Sequence, residues 1–92
     1  MENIIVTRHE GVVEWLRRRG IIGHVISHIS CDKQILGRRV YGNLPYHLAV
    51  KADVVISIDL PDLLPEQRGK DLSPEEMDGA GATMTAFKVI RV

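Results

Sequence analysis

The stretch DVVISIDL, residues 53–60, is an almost unbroken apolar run, and it decides the fold that the rest of the chain must fit. Such a run is typical of a central parallel strand that helices cover on both faces. The sequence on both sides of this run predicts helices. Proline suits the first helical position, so Pro45 begins a short helix in PYHLAVKA, residues 45–52. On the other side, the sequence SPEE from Ser73 is a capping box that predicts a helix near 73–80.

The remaining chain continues this alternation of strands and helices. NIIVT (3–7) is a short β-branched strand, and an amphipathic helix over about residues 10–19 follows it directly. Further strands are predicted at HVISHI (24–29), at RVYGNL (39–44) and, as an edge strand, at TMTAFKVIRV (83–92). Strands separated by helices form right-handed parallel crossovers. The sequence therefore predicts one α/β domain, residues 1–92, with an open, mainly parallel sheet in three layers.

The helix at 10–19 has a clear apolar side. Its stripe is predicted to hold Val12, Val13 and Leu16, with Trp15 at the edge. The arginines at 17–19 are predicted to be a solvated helix end that complements the helix dipole. Trp15 is predicted to be a core residue, and so is Phe87, which belongs to the last strand.

Charge and cysteine content exclude several classes of protein. The chain has 12 basic and 12 acidic residues, and this balance argues against a protein that coats long DNA or RNA. The single cysteine, Cys31, fits a reducing compartment. Residues 1–20 carry no basic segment followed by an apolar core, and no run approaches about 18 apolar residues. We therefore expect a cytoplasmic protein outside membranes and, because small domains often pair, a homodimer.

Polar residues follow three of the predicted parallel strands, whose carboxyl ends should share one rim of the sheet. Helix N-termini at this rim offer free N–H groups to anions, and Gly11 removes a side chain that would keep a phosphate away. The pattern therefore predicts a phosphate-handling site. Its candidate residues are Thr7, Arg8, His9, Gly11, Gly42, Asn43, Leu44, Pro45, Tyr46, His47 and Asp59, with Arg68 on the long loop that leaves the same rim.

Each candidate also has a purely structural interpretation. Arg8 can form an ion pair with Glu10 or Asp59, and His9 can cap the helix that it precedes. Asn43 is common in turns, where its side chain bonds to the backbone. Tyr46 can stack on a base or simply pack. The joint occurrence at three strand ends favours a site over these separate explanations.

No cofactor or metal is expected from the sequence. His24 and His28 share a face of a predicted strand, but two imidazoles without a third ligand seldom hold a metal. The chain has no Gly-x-Gly-x-x-Gly or P-loop pattern, which disfavours NAD and ATP.

Three segments of the chain resemble a known family. IIVTRHEGVVEWLRRRGI, YGNLPYHLA and SIDLPDLLPEQRGKDLSPEEM are similar, in order and spacing, to motifs of the small stand-alone CRISPR-associated accessory proteins encoded beside type III systems. The resemblance covers almost the whole chain. It implies a Rossmann-like fold related to the CARF domains that sense cyclic oligoadenylate, and a dimeric ring nuclease that destroys this second messenger.

The implied reaction needs no metal: a ribose 2′-hydroxyl attacks its own phosphorus and leaves a 2′,3′-cyclic phosphate. Arg8 and Arg68 would stabilise charge on the phosphorus, and His9 or His47 would serve as acid or base. Asn43 would orient the 2′-hydroxyl. The sequence leaves two alternatives open: a sensor or sponge that binds the ring without cleaving it, and an interaction subunit whose rim residues are only structural.

Overall fold

A computed structural model describes residues 2–92. Its sheet and helices follow one another in the order that the sequence predicts. The strands are β1 (Asn3–Val6), β2 (His24–Ile26), β3 (Arg39–Tyr41), β4 (Val54–Asp59) and β5 (Thr83–Phe87). The α-helices are α1 (Glu10–Arg18), α2 (Tyr46–Ala49) and α3 (Pro74–Gly79), and single 3₁₀ turns lie at Asp32–Gln34 and Pro65–Gln67.

The five strands form one sheet in the order β2-β1-β3-β4-β5. All neighbours among β1 to β4 pair in parallel, and β5 pairs antiparallel with β4 at the edge. The prediction of a mainly parallel α/β sheet is confirmed. The carboxyl ends of the four parallel strands consequently lie along one rim, which is where the predicted candidates were placed.

Side chains of the central strands alternate between two apolar layers. Ile4, Val40 and Val55 are aligned across β1, β3 and β4, and they are buried against Ala49 of α2. The next residues of the same strands are buried on the other face of the sheet, against α1 and α3: Ile5, Tyr41 and Ile56. The sheet is therefore covered on both faces, which confirms the three-layer arrangement.

Helices α1 and α3 are joined by polar contacts around Trp15. The indole is 1% exposed, and its Nε1–H donates to Asp78 at 2.8 Å. Arg19 also donates to Asp78, at 2.9 Å, and its guanidinium lies 3.7 Å from the centre of the indole ring. Arg18 donates to Glu75 at 2.8 Å. Trp15 is thus a central core residue, as predicted, but not at the edge of the stripe. The arginines at 17–19 are exposed, as predicted, and Arg18 and Arg19 also pair with carboxylates of α3.

Several sequence predictions at the sheet edges were wrong. Phe87, predicted in the core, is 51% exposed, because no helix covers β5 at the edge of the sheet. Strand β2 ends at Ile26, so His28 lies beyond it and does not share a strand face with His24. No helix within residues 2–92 is long and apolar enough to cross a membrane.

Candidate functional site

The carboxyl ends of β1 and β3 are neighbours in the sheet, so the segments that follow them meet. Between them lies a cavity of about 330 Å³, which we call the rim cavity. Its polar side comes from Thr7, Arg8, His9 and Asn43, and its floor includes Leu60 and Met77. The structure thus brings together the predicted residues that follow β1 and the first two that follow β3.

Gly42 permits the close approach of these two segments. Its φ is 147°, which side chains rarely allow, and a Cβ atom there would lie 2.7 Å from the Val6 carbonyl oxygen. A glycine at this position therefore sets the width of the rim cavity between β1 and β3.

Asn43 is held by β4 through both ends of its amide. Its Oδ1 accepts from the Ile58 N–H at 3.1 Å and from the Ser57 hydroxyl at 3.0 Å, while its Nδ2 donates to the Ile58 carbonyl at 3.2 Å. The Asn43 side chain thus supplies hydrogen bonds to β4 at a position that β3, which ends at Tyr41, no longer reaches. One Nδ2–H bond remains available, since an amide nitrogen has two donors.

His9 is oriented by Asp71, which is not among the residues predicted for the site. Its ring Nδ1 contacts the carboxylate of Asp71, and its main-chain N–H donates to the Thr7 hydroxyl at 3.1 Å. The imidazole therefore does not cap α1, which was the structural alternative for His9. Its Nε2 has no hydrogen-bond partner among residues 2–92, and the side chain is 46% exposed.

Gly11 has a different role from the one predicted. A Cβ atom at this position would lie 1.7 Å from the Leu72 carbonyl oxygen, so the loop that ends at Leu72 occupies the space. Gly11 does not line the rim cavity. It lets the loop lie directly on the first turn of α1, and the neighbouring Asp71 thereby reaches His9. No local pattern in the sequence signals this contact, because the two residues are 62 positions apart.

Arg8 is exposed and forms no ion pair with any other residue of the described chain, 2–92. The structural alternatives for Arg8, pairing with Glu10 or with Asp59, are not realised. Asp59 instead accepts from the Ser57 hydroxyl at 3.2 Å. A guanidinium at a cavity wall without a carboxylate partner retains all of its donors for an anionic ligand.

The other candidates lie outside the rim cavity. Leu44 and Tyr46 line a second cavity of about 290 Å³ on the α2 face of the sheet, and we call this cavity the α2 groove. His47 is exposed on α2, and Arg68 is exposed at the end of the second 3₁₀ turn. Neither lines the rim cavity or the α2 groove, and the same holds for Pro45 and Asp59. No cluster of three metal-ligating side chains occurs within residues 2–92.

Comparison with known protein families finds one that matches the chain. Residues 4–90 match the family model described as "Putative CRISPR-associated protein (Cas_VVA1548)". No curated protein and no solved structure matches the chain. The family match spans nearly the full length, including both segments that form the rim cavity. The chain therefore belongs to this CRISPR-associated protein family.

Proposed function

We propose that the protein is a ring nuclease of type III CRISPR signalling, which opens cyclic oligoadenylate at the rim cavity. The observation that supports this proposal is the pair Arg8–His9. Arg8 has no ion-pair partner among residues 2–92, and the adjacent His9 is oriented by Asp71. A free guanidinium beside an oriented imidazole is suited to phosphodiester chemistry, because one binds the phosphate and the other moves a proton.

Arg8 supplies the electrostatic part of the reaction. The phosphodiester gains negative charge as it becomes a phosphorane, and fixed donors aimed at that charge typically contribute the largest part of catalysis. The N-terminus of α1 adds to the positive potential at the same cavity wall. A neutral protein can bind a ring of four phosphates in this way, since the positive groups are local.

The bond changes need neither a water nucleophile nor a metal. The ribose 2′-oxygen bonds to the neighbouring phosphorus, the bond from phosphorus to the 5′-oxygen breaks, and the ring opens to a linear strand with a 2′,3′-cyclic phosphate. One proton leaves the 2′-hydroxyl and one reaches the 5′-oxygen. His9 carries out one of these transfers through Nε2, while Asp71 holds Nδ1, and solvent water gives or takes the other proton. Asn43 offers its remaining N–H to the substrate. We place His47 and Arg68 outside the reacting centre.

A homodimer would match the symmetry of the substrate. Cyclic tetra-adenylate has a two-fold axis, and an isologous dimer has one as well. With the two axes superimposed, each protomer would present its Arg8 and His9 to one half of the ring, and two cuts would give two linear dinucleotides.

A sensor or sponge that binds the ring without cleaving it is the second candidate. The 46% exposure of the His9 side chain favours it, since a site that water enters freely gains less from electrostatic stabilisation. The two candidates share the binding site and differ only in the fate of the ring.

Product analysis separates them. Purified protein is incubated with cyclic tetra-adenylate, with and without EDTA, and the products are identified by mass spectrometry. Linear products that end in 2′,3′-cyclic phosphate and form in EDTA support the ring nuclease. An intact but bound ring supports the sensor or sponge. If the ring is neither bound nor cleaved, the ring nuclease and the sensor are both contradicted, and a role as an interaction subunit is the remaining interpretation.

A further inference from the structure

The α2 groove is a second concave surface that the phosphate chemistry of the rim does not use. It lies on the opposite face of the sheet from α1 and α3, between α2 and the end of β5. Val55 and Ser57 of β4 form its base, and Phe87 directly opposes Val55 in the β4–β5 ladder. Its volume of about 290 Å³ is near the lower end of the range typical of small-molecule sites.

Two aromatic side chains line this groove, one on each wall. Tyr46, in the first turn of α2, is 82% exposed, and Phe87, on the edge strand, is 51% exposed. Aromatic rings usually bury most of their area in a folded chain. Two rings that line one cavity and remain this open offer flat apolar surface to a flat ligand.

The groove adjoins the rim cavity. Gly42 and Asn43 line both cavities, so the segment that follows β3 is the partition between them. A ligand whose phosphate lies at Arg8 therefore has an aromatic surface within the same site, across this segment. Lys88 lines the groove as well, and its ammonium donates to the Asp53 carbonyl at 3.4 Å and to the Asp53 carboxylate at 3.5 Å.

We propose that the α2 groove binds an adenine base of the cyclic ligand, with the base stacked on Phe87 and Tyr46. This inference rests on the proposed function for the identity of the ligand. Stacking on an aromatic ring stabilises a bound base by about 1–3 kcal/mol, which corresponds to roughly a 5- to 150-fold change in affinity. The groove is then a binding element, and the reacting groups remain at the rim.

The first test uses mononucleotides, so that it does not depend on ring cleavage. Amide shifts of the ¹⁵N-labelled protein are followed during titration with adenosine 5′-monophosphate and, separately, with ribose 5-phosphate. Only the nucleotide should shift the amides of Tyr46, Phe87 and Lys88, because only the nucleotide has a base. Equal shifts from both compounds, or no shift at these three residues, would overturn the inference.

The second test changes the ring of Phe87 and measures cleavage of cyclic tetra-adenylate. Phe87→Leu keeps an apolar side chain and removes the aromatic face, so KM should rise at least about 10-fold while kcat stays within about 3-fold. Phe87→Tyr retains the face and should stay within about 2-fold of the wild type. Met84→Ala is the matched control, since Met84 is an exposed apolar residue of the same strand that does not line the groove.

The outcomes distinguish this inference from the proposed function. If the wild type cleaves the ring and Phe87→Leu has an unchanged KM, the base site in the α2 groove is contradicted, and the ring-nuclease proposal stands. If the wild type neither binds nor cleaves the ring but shows the amide shifts with the nucleotide, the adenine site is supported and the proposed function is contradicted. A change of oligomeric mass in Phe87→Leu, measured by light scattering, overturns the base site and makes the groove an interface between copies.

Discussion

The carboxylate of Asp71 contacts Nδ1 of His9, although the two residues are 62 positions apart in the chain. The contact depends on Gly11, because only a glycine lets the Leu72 carbonyl lie on the first turn of α1. The orientation of the candidate acid or base at the rim is therefore set by a loop that precedes α3. This loop contributes no backbone to the sheet.

We expect Asp71→Ala to lower kcat at least about 10-fold with KM within about 3-fold, because His9 loses the group that orients its ring. Ring-opening rates at saturating cyclic tetra-adenylate measure this effect. Glu66→Ala removes an exposed carboxylate from the same long loop and should leave both constants unchanged. Asp71→Asn keeps a hydrogen-bonding oxygen and should recover part of the rate. Wild-type kcat in Asp71→Ala would show that the His9–Asp71 pair serves structure alone.

Arg8→Ala should reduce turnover at least about 100-fold, which is the typical effect of removing a donor that stabilises the transition state. The fold should persist, since Arg8 is exposed and has no ion pair within residues 2–92. Arg39 provides the control, because it is an exposed arginine at the opposite, amino-terminal edge of the sheet. Similar losses in Arg8→Ala and Arg39→Ala would point to a general effect of charge and remove Arg8 from the reacting centre.

Gly11→Ala should destabilise the protein and displace the 61–72 loop. The added Cβ would lie 1.7 Å from a backbone oxygen, and such overpacking typically costs about 1–3 kcal/mol. For a domain of this size, we expect Tm to fall by at least about 4 °C in thermal unfolding followed by circular dichroism. Gly79→Ala is the contrasting variant, since a Cβ at that end of α3 meets nothing within 4 Å. It should be neutral or slightly stabilising. Equal Tm values for the two variants would contradict the close contact at Gly11.

Stability should fall in acid in a way that depends on Asp78. The Trp15 Nε1–H, and then Arg19, hold the pKa of Asp78 below its ordinary value of 3.8. A carboxyl whose pKa is lowered by folding stabilises the native state above the unfolded pKa, and this contribution is lost as pH falls through the folded pKa. Asp78→Asn should therefore have a lower Tm than the wild type at neutral pH, and the difference should shrink below pH 3.8. Urea or thermal unfolding across this range measures it. Glu66→Gln, which removes an exposed carboxylate outside this network, should show no such convergence, and a pH-independent difference for Asp78→Asn would contradict the role of charge.

Local patterns predicted the elements and the rim. The apolar run at 53–60, the β-branched run at 3–7 and the SPEE capping box each correspond to an element of the structure within a few residues. Because parallel strands share one carboxyl edge, the positions of Arg8, His9 and Asn43 followed from the order of the elements alone. This part of the site was predictable from periodicity and topology.

The contacts that complete the site were not predictable in this way. Asp71 reaches His9, and Asp78 reaches Trp15, across more than 60 residues, and no spacing in the sequence relates such partners. The same is true of Gly11, where a local argument for ligand space was wrong because a distant carbonyl fills that space. Phe87 is exposed although it is an apolar aromatic residue, because the sequence pattern of an edge strand does not tell whether a helix covers it.

The Asn43 amide makes one wall of the rim cavity stiff. Because three hydrogen bonds tie this side chain to β4, the wall of the rim cavity that follows β3 yields only if those bonds break together. The opposite polar wall, Thr7 to His9, is contacted by the 61–72 loop through the exposed His9–Asp71 pair. The two walls are therefore fastened differently: one exposed side-chain contact holds the His9 ring, whereas three hydrogen bonds hold the Asn43 amide. For a ligand that binds between these walls, we expect the His9 ring to adjust first, and Asp71 to control that adjustment without lining the cavity.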